Sequence, residues 1–181
     1  HQGSGIEGIL SARGKEEVEQ LSEALKHETI DFALLSPLAR CKDTFDAIAR
    51  YHASLGSRTS KYLRAKNSGK YEGLPQTVFR ADAAASEHPI YDFKPLGSES
   101  TRDQQNRIVG FFNTEIPKLN YKKLLIVTHG GIVTTLGLHL NNRSFGDYDS
   151  VQPAKASISR LNYTEGKVEV RSWSDTTHIT H

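Results

Sequence analysis

The spacing of apolar residues along this 181-residue chain changes several times, and each change predicts an element. From Lys15 to His27, just after Gly14, Val18, Leu21 and Leu25 recur at helical spacing among Glu and Lys, which predicts an amphipathic helix. Ile30 to Leu35 is a short apolar run closed by Ser36-Pro37, as in a buried strand. From Leu38 to about Tyr51, the residues Leu38, Cys41, Phe45, Ile48 and Ala49 return to the helical period. Residues 52–98 sustain no period. Gly56, Gly69, Gly73, Pro75, Pro89, Pro95 and Gly97 cut them into short pieces, which predicts loops and a small lid. Thr101 to about Glu115 reads as a helix burying Ile108, Phe111 and Phe112, with Pro117 just past its end. Leu124 to Thr128 run apolar into His129-Gly130-Gly131, and a helix follows from Gly131 to about Leu140. Ser157–Tyr163 and Lys167–Ser174 alternate on either side of Glu165-Gly166, the pattern of a hairpin.

Helices and strands in alternation predict an α/β fold: a mostly parallel central sheet with helices on both faces, in a single domain over residues 1–181. A hydrophobic content of 36% is enough to fill the core of one such domain. No apolar run approaches the ~20 residues of a membrane span, and the start has no charged-then-apolar signal pattern, so a soluble protein is expected. Cys41 is the only cysteine, which excludes an internal disulfide and a cysteine-built zinc site and suits a cytoplasmic protein. The net charge of +2 is scattered along the chain with no basic block, so neither nucleic acid nor a membrane is expected as a partner. Oligomeric state leaves no mark. There is no methionine, and His1-Gln2-Gly3-Ser4-Gly5 already reads as a glycine-rich loop, so an N-terminal strand is expected upstream of these residues.

The candidate chemistry lies at strand ends. An imidazole at the C-terminal edge of a buried strand, beside the N–H groups of a starting helix, sits where an anion binds, which singles out His129. The plainer alternative is a satisfied histidine that ends its strand beside glycines used for turning. Ser36-Pro37-Leu38-Ala39-Arg40 puts a guanidinium at the entry of a helix, with Thr44 one turn on. Arg40 offers a planar fork of donors to phosphate or carboxylate, or is one more solvated surface arginine. If both follow strands of a parallel sheet, they converge at the crevice where such sheets bind ligands. Lys61, Arg64, Lys66 and Lys70 make either a positive rim on the lid or a solvated set. Asp103 and Arg107, four apart on one helix, read as a surface pair.

In several places at once the chain resembles the histidine phosphatase superfamily, also called phosphoglycerate mutase-like. The matching strings are Gln2-Gly3 leading to Leu10-Ser11-Ala12-Arg13-Gly14; Ser36-Pro37-Leu38-Ala39-Arg40; Leu63-Arg64 followed by Gly69 and Tyr71-Glu72-Gly73; Gly97-Ser98-Glu99-Ser100 with Asp103 and Arg107; and Val127-Thr128-His129-Gly130-Gly131. The resemblance implies a three-layer sandwich and phosphoryl transfer in two steps, through a phosphohistidine that water hydrolyses. Arg40 and His129 then hold the transferring group, Gln2, Gly3, Ser100 and Gly130 contribute to substrate binding, and no metal or cofactor is called for. The implied substrate is a small phosphorylated metabolite such as a sugar bisphosphate. The opening and the ending Asp175-Thr176-Thr177-His178 are similar to fructose-2,6-bisphosphatases, although the long insertion of that group ahead of its second histidine is not evident. The short stretch between Gly73 and Gly97 favours a phosphatase over a mutase.

There are two departures from the family pattern. The nucleophile motif, Arg-His-Gly, belongs upstream of the loop that Gln2-Gly3 matches, and His1 is not that nucleophile. Ala65 stands where the family carries the glutamate that protonates the leaving oxygen. Three explanations stay open: an introduced inactivating substitution, a natural loss, or an acid from elsewhere, with Glu72 and Glu99 nearest. The functional alternatives are a phosphate-binding scaffold without turnover and a phosphoprotein phosphatase of the same fold.

Overall fold

Strand β1 (Phe32–Leu35) is buried because it is the middle of a parallel sheet ordered β2-β1-β3, with β2 at Gly56–Thr59 and β3 at Leu124–Val127. The computed structural model describes residues 3–5, 8–164 and 166–180; Gln2 and Glu165 lie outside them. The side chains of β1 alternate between two cores. Ala33 and Leu35 face Cys41, Phe45 and Val127, whereas Leu34 faces Leu63, Ile108, Phe111, Ile132 and Leu136. Helix α2 (Ala39–Ala49) covers the first face and α4 (Thr101–Thr114) with α5 (Gly130–Leu140) covers the second, giving the expected three layers. Truncating a fully buried side chain such as Leu34 to alanine costs about 2–5 kcal/mol.

Helix α1 (Ala12–Leu25) starts three residues before the Lys15 that periodicity suggested. The Ser11 hydroxyl accepts the Gly14 N–H at 3.1 Å, and this cap sets the boundary even with a glycine in the first turn. Residues 52–98 are more ordered than expected. They contain β2 and a short helix α3 (Gln76–Ala84). Every residue of β2 is exposed, so its sequence Gly-Ser-Arg-Thr carries no apolar signal; pairing with β1 alone makes it a strand. Phe112, expected inside, is half-buried beside the α4 core.

Strands β4 (Ile158–Thr164) and β5 (Lys167–Asp175) form an antiparallel hairpin, as expected. Among the described residues β3 pairs only with β1 and β4 only with β5. Both line one cleft of about 1720 Å³, whose walls include Leu21, Leu125, Ile126, Ile132, Ile158 and Leu161. The register Leu35↔Val127 brings the C-terminal ends of β1 and β3 level, so Ser36 and His129 emerge side by side, and His129 lines this cleft. Among the described residues no helix is long and apolar enough to cross a membrane.

Candidate active site

Two strand ends meet here. Ser36 N–H donates to Val127 O at 2.9 Å, extending the parallel ladder one step, and Thr128 Oγ1 donates to Leu63 O at 2.8 Å. His129 follows in extended conformation as the N-cap of α5, its carbonyl accepting from Ile132 and Val133. Arg40 sits in the first turn of α2. Its Nε–H donates to His129 Nδ1 at 3.2 Å, and its Nη2 reaches Gly3 O at 3.4 Å. The two residues selected from the sequence therefore touch, 89 positions apart. Thr44 plays a local part, its hydroxyl bonding back to Arg40 O at 2.9 Å.

The remaining nitrogen of His129 is also engaged, with Nε2 2.7 Å from Ser36 Oγ. Burial, then the charges of Arg40 and Arg107, push the imidazole pKa down to about 3, so the ring is neutral. Cys41 Sγ lies 3.6 Å from the same Nε2, and burial raises its pKa to about 11, so it is a thiol. The first N–H groups of α5, beginning at Gly130, have no acceptor within their own helix and carry the positive end of its dipole. A Cβ on Gly131 would come within 3.3 Å of Gln104 and 3.5 Å of the Tyr148 hydroxyl, which places both side chains at this helix end. Neither was singled out in the sequence, where a glutamine inside a helix and a tyrosine in a polar loop carry no distinguishing pattern.

Gly3 lies against Arg40, and Gln2 lies outside the described residues. The Gly3 N–H donates to Glu72 Oε2 at 2.7 Å, the Ser68 N–H donates to Oε1 at 2.9 Å, and the Ser4 N–H donates to Lys66 O at 3.0 Å. Glu72 thus orders its loop. Ser100 is the buried N-cap of α4, its hydroxyl accepting the Asp103 N–H in a reciprocal capping box. Asp103 and Arg107 do not pair with each other: Asp103 takes Lys94 at 2.8 Å, and Arg107 forms a two-pronged bridge with Glu99 at 2.7 and 2.8 Å. Glu99 also holds Arg64 at 3.2 Å.

Ala65, 6% exposed, lines the cleft with Arg40 and His129. Of the four cationic lid residues only Lys66 turns inward. Lys61 and Lys70 are exposed, and Arg64 is tied to Glu99. The Lys66 ammonium lies 4.6 Å over the Phe79 ring and 3.2 Å from Thr101 Oγ1, with no ion pair among the described residues, and burial lowers its pKa. Among the described residues no cluster of three or more His, Cys, Asp or Glu is placed to hold a metal ion.

The chain is similar to known proteins over nearly its whole length. Residues 2–176 match the model of the histidine phosphatase superfamily (branch 1). The uncharacterized phosphatase PhoE of Bacillus subtilis is 24% identical over 173 residues, covering 94% of this chain and 83% of that protein. The fructose-2,6-bisphosphatase TIGAR of mouse is 28% identical over 115 residues, 62% of this chain and 43% of that protein. The alpha-ribazole phosphatase of Shigella flexneri superposes with a TM-score of 0.84 at 19% identity, over 97% of this chain and 88% of its own.

Proposed function

The chain belongs to the histidine phosphatase superfamily, and on that premise we propose that it is a phosphomonoesterase whose Arg40 and His129 hold the phosphoryl group of a small phosphorylated metabolite. The observation that carries this reading is the Arg40–His129 contact at the common end of two parallel strands, beside the N-terminus of α5. A guanidinium edge and helix N–H groups facing one cleft suit the equatorial oxygens of a transferring phosphoryl group. Relatives that act on small phosphorylated molecules, alpha-ribazole phosphatase and TIGAR, support the substrate class. Lys66, a half-buried cation without an ion pair among the described residues, favours a metabolite with a second anionic group.

The nucleophile in this reading is a histidine on an upstream strand seated between β3 and β4. The apolar walls of the cleft, lined by residues of both β3 and β4, favour such an occupant. Its imidazole attacks phosphorus as the P–O bond to the alcohol breaks. Water then cleaves the P–N bond, releasing inorganic phosphate and restoring the imidazole. Arg40 offsets charge on phosphorus-bound oxygens in both steps. Ala65 supplies no proton to the leaving alcohol, so turnover of alkyl phosphates is weak. The same residue favours a second reading, in which the chain binds phosphate without turnover.

Inorganic phosphate titrated into the chain, followed through the amide resonances of His129 and Gly130, tests the binding site. Saturable shifts that vanish in Arg40→Ala are expected. No response to millimolar phosphate, or an unchanged response in Arg40→Ala, overturns the assignment.

A further inference from the structure

Two side chains from distant parts of the sequence converge on the start of α5. A Cβ at Gly131 would meet Gln104 Nε2 at 3.3 Å, Gln104 Oε1 at 3.5 Å and the Tyr148 hydroxyl at 3.5 Å. Gln104 is 2% exposed, and its carboxamide has no hydrogen-bond partner among the described residues; only its backbone N–H is engaged, in α4. The Tyr148 hydroxyl has none among them either. Burial first, then the Asp149 carboxylate, hold its pKa above the ordinary value, so it stays a neutral O–H. An unpaired buried carboxamide destabilises a fold, and its retention calls for a ligand that completes it. Gln104, Gly131 and Tyr148 all line the cleft that holds Arg40 and His129. Gly131 comes two residues after His129, next to the place the phosphoryl group takes in the reading above.

The chemistry of the missing group follows from that of its partners. A phosphoryl oxygen of a dianion only accepts hydrogen bonds, whereas Gln104 turns both a donor, Nε2, and an acceptor, Oε1, toward Gly131. Its complement must donate and accept at once, and the Tyr148 O–H asks for the same. Alcohol hydroxyls do this, and two on neighbouring carbons match the span of one carboxamide. The Tyr148 ring lies 5.8 Å from that of Tyr91, which also lines the cleft, so the C–H side of a carbon chain meets an apolar wall.

We propose that Gln104 and Tyr148 are specificity-determining residues that bind hydroxyl groups on the alcohol portion of the substrate, so that the preferred esters are those of polyols, sugar phosphates among them. The proposal rests on Arg40 and His129 holding the phosphoryl group. Glycine at 131 keeps the space in front of the carboxamide open to the ligand.

Glycerol 3-phosphate and propyl phosphate share a three-carbon chain and differ by two hydroxyls, so calorimetric titration of each into the chain reads what those hydroxyls contribute. The glycerol ester is expected to bind roughly tenfold more tightly, because a site built for hydroxyls penalises the ester that lacks them. Gln104→Met keeps the side-chain length without the amide, and Tyr148→Phe keeps the ring; each is expected to bring the two esters close to equal affinity. Gln104→Met is also expected to raise the melting temperature by ~2–4 °C, since it removes an unpaired buried amide. Equal affinity for both esters in the unmodified chain overturns the hydroxyl subsite and leaves the phosphoryl site standing, whereas binding of neither ester removes both. A preference that survives both variants, or a lower melting temperature in Gln104→Met, overturns the assignment to these residues.

Discussion

The Gly3 N–H and the Glu72 carboxylate are 2.7 Å apart across 69 positions of sequence. A Cβ added at Gly3 would lie 2.1 Å from Glu72 Oε1, so only glycine lets the loop come this close. Gly3→Ala must therefore move the loop or turn the carboxylate away, and Arg40 Nη2 loses the Gly3 carbonyl at 3.4 Å. Phosphate affinity is expected to fall roughly tenfold while the melting temperature moves little, since few apolar contacts are involved. Calorimetric titration checks the first and thermal unfolding the second. Wild-type affinity in Gly3→Ala would mean that this loop does not shape the site.

Among the described residues Glu99 and Arg107 form the best-protected ion pair, with side chains 10% and 12% exposed, and Arg107 also donates to Arg64 O at 3.2 Å and to Tyr62 O. The pair therefore staples the segment ahead of Ala65 to α4. Arg107→Ala leaves a largely enclosed carboxylate with Arg64 as its remaining ion-pair partner among the described residues, and a loss of about 3 kcal/mol is expected in denaturant unfolding. Arg107→Lys recovers little of this, because a single ammonium does not reproduce the two-pronged contact. A loss under 1 kcal/mol for Arg107→Ala would class the pair with ordinary surface bridges.

The elements that sequence reveals here are those whose apolar period matches their burial. Strand β1 is a short apolar run because both its faces are covered, and β3, half-buried beside it, is a run of the same kind; the residues that follow them, Arg40 and His129, are legible for that reason. Strand β2 was invisible, being an exposed polar edge that exists only through pairing with β1. Helix α3 was missed because it starts at Pro75 without a side-chain cap and buries only Ala83. Within the site, Ser36 was visible as part of a motif but not as a partner of His129. A hydrogen bond over 93 positions leaves no local trace. Lys66 was one of four lid cations, and only packing against Phe79 and Thr101 sets it apart.

Acid should weaken the fold through His129. Its pKa is about 3 when folded, against the ordinary 6.5, so between those limits the unfolded chain binds a proton that the folded chain refuses. Stability therefore rises with pH across that window and falls on acidification, by up to about 1.4 kcal/mol per pH unit from this ring; above pH 6.5 the ring contributes nothing. Cys41, against the same ring, remains a thiol throughout that window. Comparing urea unfolding at pH 6.5 and pH 5 isolates the effect. The unmodified chain is expected to lose about 2 kcal/mol more than His129→Gln over this step. Equal losses in both would put the His129 pKa near its ordinary value.

Ala65→Glu is the substitution that decides between weakened enzyme and silent binder. The two carboxylates nearest position 65 in sequence are already engaged: Glu72 by the Gly3 and Ser68 N–H groups, and Glu99 by Arg64 and Arg107. A methyl group at 65 leaves the departing oxygen without a proton. The penalty depends on the leaving group, because an alkoxide needs protonation far more than a nitrophenolate. In a chain carrying the upstream histidine strand, Ala65→Glu is expected to speed release of phosphate from an alkyl phosphate by ~10²–10⁴ and from p-nitrophenyl phosphate much less. The new carboxyl enters a site where the present residue is 6% exposed, so a stability loss of about 1–3 kcal/mol accompanies the gain. Steady-state rates on the two esters are the measurement. Equal acceleration of both would assign the glutamate a role other than proton donation, and no acceleration of either would leave binding without turnover as the function of this fold.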